Sequence, residues 1–499
     1  MFRLTVCAIS AHYACLPAHI ALSYYQRARK AFIRSEVSKP THQTVQALVN
    51  ICLFAQAKDQ PALKLPFLQR AIDLIIALRL DVDPDDSPWL YNLNLTPRQK
   101  EDRRRAFWNC YMVLVEEHST SSDTIAGQLD ATKIKPLSTI HDPHLVFESY
   151  QTAAPILNVE QTIANIRLFY SKVPTNGVRS IFASQETMNL DASLFTVHSS
   201  IPLNLLLIPS SLDEFISLDH VRFTDQLESL PALESSATIL LNLIMQSSIC
   251  LLYRPKLYVS ALKNYKPSRL THSEQYILHN AITQSHESAL KLLHLFSFFV
   301  GLPEQDSEVI NNLDNEQQQE RQPLPRHCYF HKITHNTCFY SLFEAFCVLW
   351  FIFCRMHPEW RQFSIQHTQL LVESQYRLKR RMTRMLEFMK DAVEYTGPKK
   401  EGVFVPLIVC MDAMLKEMGC NDVKLEDDET VVVDQVILGM KVISLGTGAG
   451  SSVADSFPEP SVIREPRAFL GLLGMEVGGG IKWPGPREEN WRLFWKLYS

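Results

Sequence analysis

The sequence predicts an all-α protein, a multi-helix domain followed by an irregular C-terminal extension. Three observations carry that class. Apolar residues recur at three- and four-residue spacing in one segment after another, as on amphipathic or buried helices. Sustained two-residue alternation, the mark of half-buried strands, is missing from the first half of the chain. Helix start and stop signals punctuate the segments, with prolines and aspartates between them. At 499 residues and 46% hydrophobic content the chain is long enough for one or two sizeable cores.

Taken in order, Met1 to Leu22 reads as apolar helix that continues without a break into an amphipathic stretch from Ser23 to Ile33. A secretory signal fits poorly, because His12 and His19 interrupt the apolar run and no clean small-residue cleavage site follows. Thr41 to Gln56 places Val45, Leu48, Cys52 and Ala55 on one face, and Pro66 to Leu80 repeats the theme with Leu68, Ile72, Ile75 and Ile76. Asp83-Pro-Asp-Asp-Ser-Pro88 then stops the helix.

Thr96 to His118 is the stretch with the strongest start signal. Thr96 suits the N-cap, Pro97 the first helical position, and Gln99 the reciprocal position of a capping box. Glu101 precedes Arg105 by four residues, so the two charges pair along exposed first turns. From Ala106 to Val115 nearly every position is apolar, which predicts a spine sunk in a core. By composition alone, Arg103, Arg104 and Arg105 read as a solvated helix face.

Later segments add less. Cys338 to Met356 is just long enough to cross a bilayer, but Glu344 inside it would be costly in lipid, so it is read as a core helix. Pro303 to Arg326 is a polar insertion. The net charge of −4 excludes a global electrostatic footprint for nucleic acid and leaves only local patches such as Lys379 to Arg381 with Arg384. That cluster is a solvated helix face or a signal for nuclear import. Eleven scattered cysteines, mostly within apolar helical patterns, read as reduced thiols of a cytosolic or nuclear protein.

The order of these features resembles the middle homology region of fungal zinc-binuclear-cluster transcription factors, the fungal-specific transcription factor domain or xylanolytic-activator-type regulatory domain. The family's Tyr-x-x-Ala-Arg helix is matched by Tyr25, Ala28 and Arg29, and its Val-Gln-Ala-Leu helix by Val45-Gln46-Ala47-Leu48. A helix end leading into an Asp-Pro loop is matched in part by Leu78, Leu80 and Asp83-Pro84. The Glu-x-Arg-Arg-Arg-x-Phe-Trp element is present in full at Glu101, Arg103, Arg104, Arg105, Phe107 and Trp108. In that ordered company its expected work is structural, with Phe107 and Trp108 anchoring the core and the arginines tying neighbouring helix ends or loop carboxylates such as Asp83, Asp85 and Asp86. An apolar helix ending in Arg-Pro is similar to Ile239 through Arg254-Pro255. Residues 1–300 carry the resemblance clearly and 327–415 in helical character.

Departures accompany it. Where members usually have Gly-Leu-His after the second helix, Arg79, Leu80 and Asp81 stand here, and Glu116-Glu117 replaces a common Asp-Arg. Thr124 to Gly127 holds no clear counterpart of the family's Gly-Arg-Pro turn. The family's DNA reader, a six-cysteine module holding two zinc ions, has no match in Cys7 and Cys15, and no heptad run precedes the helices. Two expectations follow: the chain is a piece of a longer protein, favoured because Met1 falls inside an early helix, or it is a regulator without its own reader.

Other chemistry is less well supplied. His327, His331 and His335 recur every four residues beside Cys328 and Cys338, but three collinear turns reach too far for one ion and no carboxylate completes a catalytic set. They read as surface or groove histidines. Gly446-Thr-Gly-Ala-Gly450 follows an apolar run, yet its spacing departs from the dinucleotide fingerprint and the lysine of a phosphate loop is missing. At the C-terminus, Trp491, Phe494, Trp495 and Tyr498 fall at helical spacing, as candidate anchors for a partner groove or for packing back on the chain's own domain.

The reading is therefore a regulatory domain at 1–300, a polar linker at 301–326, its helical continuation at 327–415 and an irregular region at 416–499. The resemblance implies a non-enzymatic nuclear regulator of RNA polymerase II transcription. Its partners would be coactivators or corepressors, with a small-molecule effector, and no membrane. DNA and zinc would be bound only by a module outside this chain, with no cofactor within it. The alternatives are a metal-binding all-α enzyme or carrier, and a partner-binding adaptor without DNA contact.

Overall fold

The computed structural model describes residues 1–14, 16–35, 39–58, 61–120, 129–135, 151–171, 184–207, 220–230, 232–260, 265–299, 336–354, 356–367 and 375–396, with short stretches between 407 and 418. Among them are fourteen α-helices and no strand, so the protein is all-α. They form two compact units, divided between Gln151 and Thr152.

The first unit contains α1 (Phe2–Tyr13), α2 (Ala18–Ser35), α3 (His42–Ala57), α4 (Pro61–Ala77), the single turn α5 (Pro88–Tyr91) and α6 (Pro97–Thr120). The apolar N-terminus is two helices rather than one, because Pro17 lies between them and cannot donate to a continuing ladder. Helix α3 packs on α4, α6 and α1. Its buried Val45, Leu48 and Cys52 meet Leu68, Ile72 and Ile75 of α4 and Phe107, Cys110 and Leu114 of α6 in one core. Ala21, Tyr25, Ile51 and Phe54 belong to a second cluster on the α1–α2 side, where Tyr25 stacks on Phe54.

Helix α4 begins at Pro61, five residues ahead of the Pro66 start that the sequence suggests, and carries Pro66 within it. It ends in a Schellman motif: Leu80 N–H reaches the carbonyl of Ile75 and Arg79 N–H that of Ile76. Arg79 stands there at φ 54°, the left-handed conformation that favours glycine, and it is the position where the family usually has one.

The second unit contains α7 (Ala153–Ser171), α8 (Gln185–Ser200), α9 (His220–Glu228), α10 (Ala232–Val259), α11 (His272–Phe299), α12 (Asn336–Cys354), α13 (Pro358–His367) and α14 (Gln375–Thr396). Helix α10 is its hub, packed on α7, α11 and α12. Contrary to the sequence reading, the Arg254-Pro255 step does not end that helix, which runs on to Val259 with Pro255 inside it. Helix α10 is the one described helix long and apolar enough by itself to cross a bilayer, and 83% of its apolar window is buried within the structure. Helix α12 is likewise sunk in the core, with Phe346, Trp350 and Phe351 fully buried.

Candidate functional site

The candidate site is the first half of α6 and the loop it grips. Its capping box forms as the sequence predicts: Thr96 N–H donates to Gln99 Oε1 at 2.9 Å and Gln99 N–H to Thr96 Oγ1 at 3.3 Å. The helix is thereby started with its arginines one to two turns in.

Arg103 and Arg104 are not the solvated face that composition alone suggests; they tie a helix end and loop carboxylates, as the ordered motifs imply. Arg104, 8% exposed, donates through Nε to Asp83 Oδ2 at 2.8 Å and through Nη2 to Asp83 Oδ1 at 2.7 Å. Its Nη2 also reaches Asp85 Oδ2 at 2.6 Å. Asp83, 0% exposed, accepts two backbone bonds as well, from Asp85 N–H and Lys135 N–H, each 2.9 Å. Burial pushes its carboxyl up, but the Arg104 hydrogen bonds and the two amides outweigh that and hold it at about 2. The same bonds raise the Arg104 guanidinium. Lys100 adds a 2.7 Å bond to Asp85, whose carboxyl is held below its usual range by Lys100 and then Arg104.

Arg103 performs a different task. Its Nη2 donates to the carbonyls of Leu78 at 2.9 Å and Arg79 at 3.0 Å, satisfying acceptors that the end of α4 leaves open. Arg105 lies 3.9 Å from Glu101, the expected four-residue pair, but Glu101 is buried rather than exposed. Asp86, grouped with Asp83 and Asp85 by sequence, instead meets Lys135 at 3.2 Å.

The apolar half of α6 also differs from a helix buried on all sides. Phe107, Cys110 and Leu114 lie in the core, while Asn109 and Met112 are exposed and Trp108 is half-buried. Trp108 packs edge-on to Phe107 and donates Nε1–H to the Lys135 carbonyl at 3.0 Å. The loop residue Lys135 is thus fixed by its amide to Asp83 and by its carbonyl to Trp108.

Four further polar side chains escape a reading by motif. Glu117 of α6 forms a 2.7 Å ion pair with Lys64 of α4, both nearly buried. Burial lowers the lysine, but Glu116 and Glu117 more than compensate and raise it. Glu116 accepts from Gln56 of α3. Neighbouring Cys52 is pushed by burial to about 12, so its thiol is a packing group and not a nucleophile.

In the second unit Arg254, 0% exposed, meets Glu344 of α12 at 3.1 Å, and its guanidinium lies 5.7 Å from the Tyr258 ring centroid. Pro255 adjoins it within α10. Of the basic cluster, Arg381 reaches a His294 ring nitrogen at 3.2 Å, and Thr383 Oγ1 bonds the Lys379 carbonyl. Among the described residues no group of three or more His, Cys, Asp or Glu side chains could hold a metal ion. His327, His331 and His335, Gly446 to Gly450, the polar stretch at 303–326, Thr124 to Gly127, and Trp491, Phe494, Trp495 and Tyr498 lie outside the described residues.

Residues 1–113 match the family described as Fungal specific transcription factor domain. The resemblance read from Tyr25 through Trp108 is a match to that family over this segment, which takes in α1 to α5 and most of α6. Arg254 and Pro255 lie beyond the matched residues. No curated protein and no solved structure matches the chain.

Proposed function

We propose that the chain is the regulatory part of a fungal transcription factor that controls RNA polymerase II transcription in the nucleus. The observation that carries the reading is the family match of residues 1–113, which takes in the Glu101–Trp108 element near its end. The geometry supports a regulatory rather than a DNA-reading role for that element. Arg103 and Arg104 are occupied by backbone carbonyls and buried carboxylates, whereas phosphate contacts need accessible cations. DNA and zinc would then be bound by a six-cysteine module outside this sequence, and the helical units would answer to a coactivator, corepressor or small-molecule effector. The terminal aromatics Trp491, Phe494, Trp495 and Tyr498 are the proposed docking anchors.

Tethering the full chain to an unrelated DNA-binding domain upstream of a reporter tests this reading. A several-fold change in reporter transcription, up or down, is expected. Output equal to the tether alone would contradict it. Zinc analysis of the purified chain separates the rival, since a stoichiometric tightly held ion would favour a metal-dependent enzyme or carrier.

A further inference from the structure

Helix α12 carries a single charged residue, Glu344, among its nineteen positions. Glu344 is 4% exposed and pairs with Arg254 of α10 at 3.1 Å, and the positive charge of Arg167 of α7 also acts on its carboxyl through space. Arg167 in turn sits 5.8 Å from the ring centroid of Tyr340, one turn before Glu344 on α12. Beside Tyr340 in the same turn, Ser341 donates to Ser247 of α10 at 3.0 Å. Ser247 and Arg254 are seven residues apart and so share a face of α10, just as Ser341 and Glu344 share a face of α12.

A buried ion pair is not an efficient source of stability, because the desolvation of both charges offsets their attraction; its best-attested use is to select one arrangement among several apolar ones. The surroundings make such selection necessary. Helix α12 is a run of Phe, Leu, Val, Cys and Trp, and the facing parts of α10 and α11 are built from Leu, Ile and Phe. Apolar surfaces of this kind accept more than one register, since dispersion and hydrophobic burial are non-directional. Sliding α12 by one turn would preserve most apolar contact but strand Glu344 and Arg254 apart in a low-dielectric interior.

We propose that Arg254 and Glu344, seconded by Ser247 and Ser341, form a register lock that holds α12 in one position against α10. The lock selects a conformation and adds little net stability. It operates whether or not the chain regulates transcription.

Labelling of buried Cys347, three residues beyond Glu344, by a maleimide in the native full-length chain tests the lock, with rates resolved per cysteine by mass spectrometry. In the apolar double variant Arg254→Met/Glu344→Leu, the melting temperature is expected within a few degrees of the parent or above it. Cys347 labelling should rise at least tenfold. Glu344→Gln, which keeps shape and removes charge, should also accelerate labelling while the helical circular dichroism is retained. Unchanged Cys347 labelling in both variants would overturn the proposal. So would a double variant that melts as low as Arg254→Met alone, because the pair would then be a stability element whose loss apolar packing cannot replace.

Discussion

Arg104 and Asp83 meet as a two-pronged ion pair, Nε to Oδ2 and Nη2 to Oδ1, with both side chains removed from solvent. The pair joins α6 to the loop after α4, and through the Asp83 carboxylate it also fixes the amides of Asp85 and Lys135. A loop of aspartates and prolines is thus held by a helix that begins some ten residues later.

Acid should loosen this contact. The folded-state carboxyl of Asp83 titrates at about 2, below its ordinary value of 3.8. A depressed carboxylate stabilises the fold fully above the unfolded value and loses that contribution as pH falls through the folded one. About 2 kcal/mol should therefore disappear between roughly pH 4 and pH 2. Urea titrations of parent and Asp83→Asn across that window provide the measurement, and the variant should show the shallower dependence.

Arg79→Gly should stabilise the first unit by about 1 kcal/mol, because Arg79 holds a left-handed φ at the α4 C-cap and glycine adopts it without a Cβ clash. The Arg103 bond to the Arg79 carbonyl survives the change, since it involves backbone. Thermal unfolding followed at helix wavelengths reads the shift, and a lower melting temperature would count against the cap.

Lys64→Met should cost about 3–5 kcal/mol by leaving Glu117 buried without its cation. Adding Glu117→Leu should recover most of the loss. If the double variant is no better than the single one, the ion pair is not what links α4 to α6 there.

Thr96→Ala should lower stability by about 1 kcal/mol through loss of the N-cap acceptor for Gln99 N–H. Hydrogen exchange should localise the effect to the first turn of α6.

How much of this was legible in the sequence follows the range of each interaction. The Thr96–Gln99 box and the Glu101–Arg105 pair are local, so spacing alone announces them. Arg104 was readable as a partner for Asp83 or Asp85 only because the ordered motifs placed the Asp-Pro loop and the Arg-rich helix in one unit. The Lys64–Glu117 pair was missed for a specific reason. Starting α4 at Pro66 left Lys64 outside the helix, whereas Pro61 takes the first-turn role that proline favours. Arg79 was noted as a departure from glycine, but backbone sign is not visible in a residue name. Arg254 and Glu344 are 90 positions apart, and no local periodicity connects them. Proline also misled at 255, where the loss of one donor is tolerated inside a long buried helix.

The central claim is that the Arg-rich element of α6 builds the domain rather than contacts a ligand or nucleic acid. A double-mutant cycle on Arg104→Ala and Asp83→Ala, read by hydrogen-exchange protection of α6 amides in the full chain, tests it most directly. The expected result is a coupling of about 3 kcal/mol, each single change losing protection and the second adding little. Additive effects, or an Arg104→Ala chain as protected as the parent but altered in transcriptional output, would contradict the account.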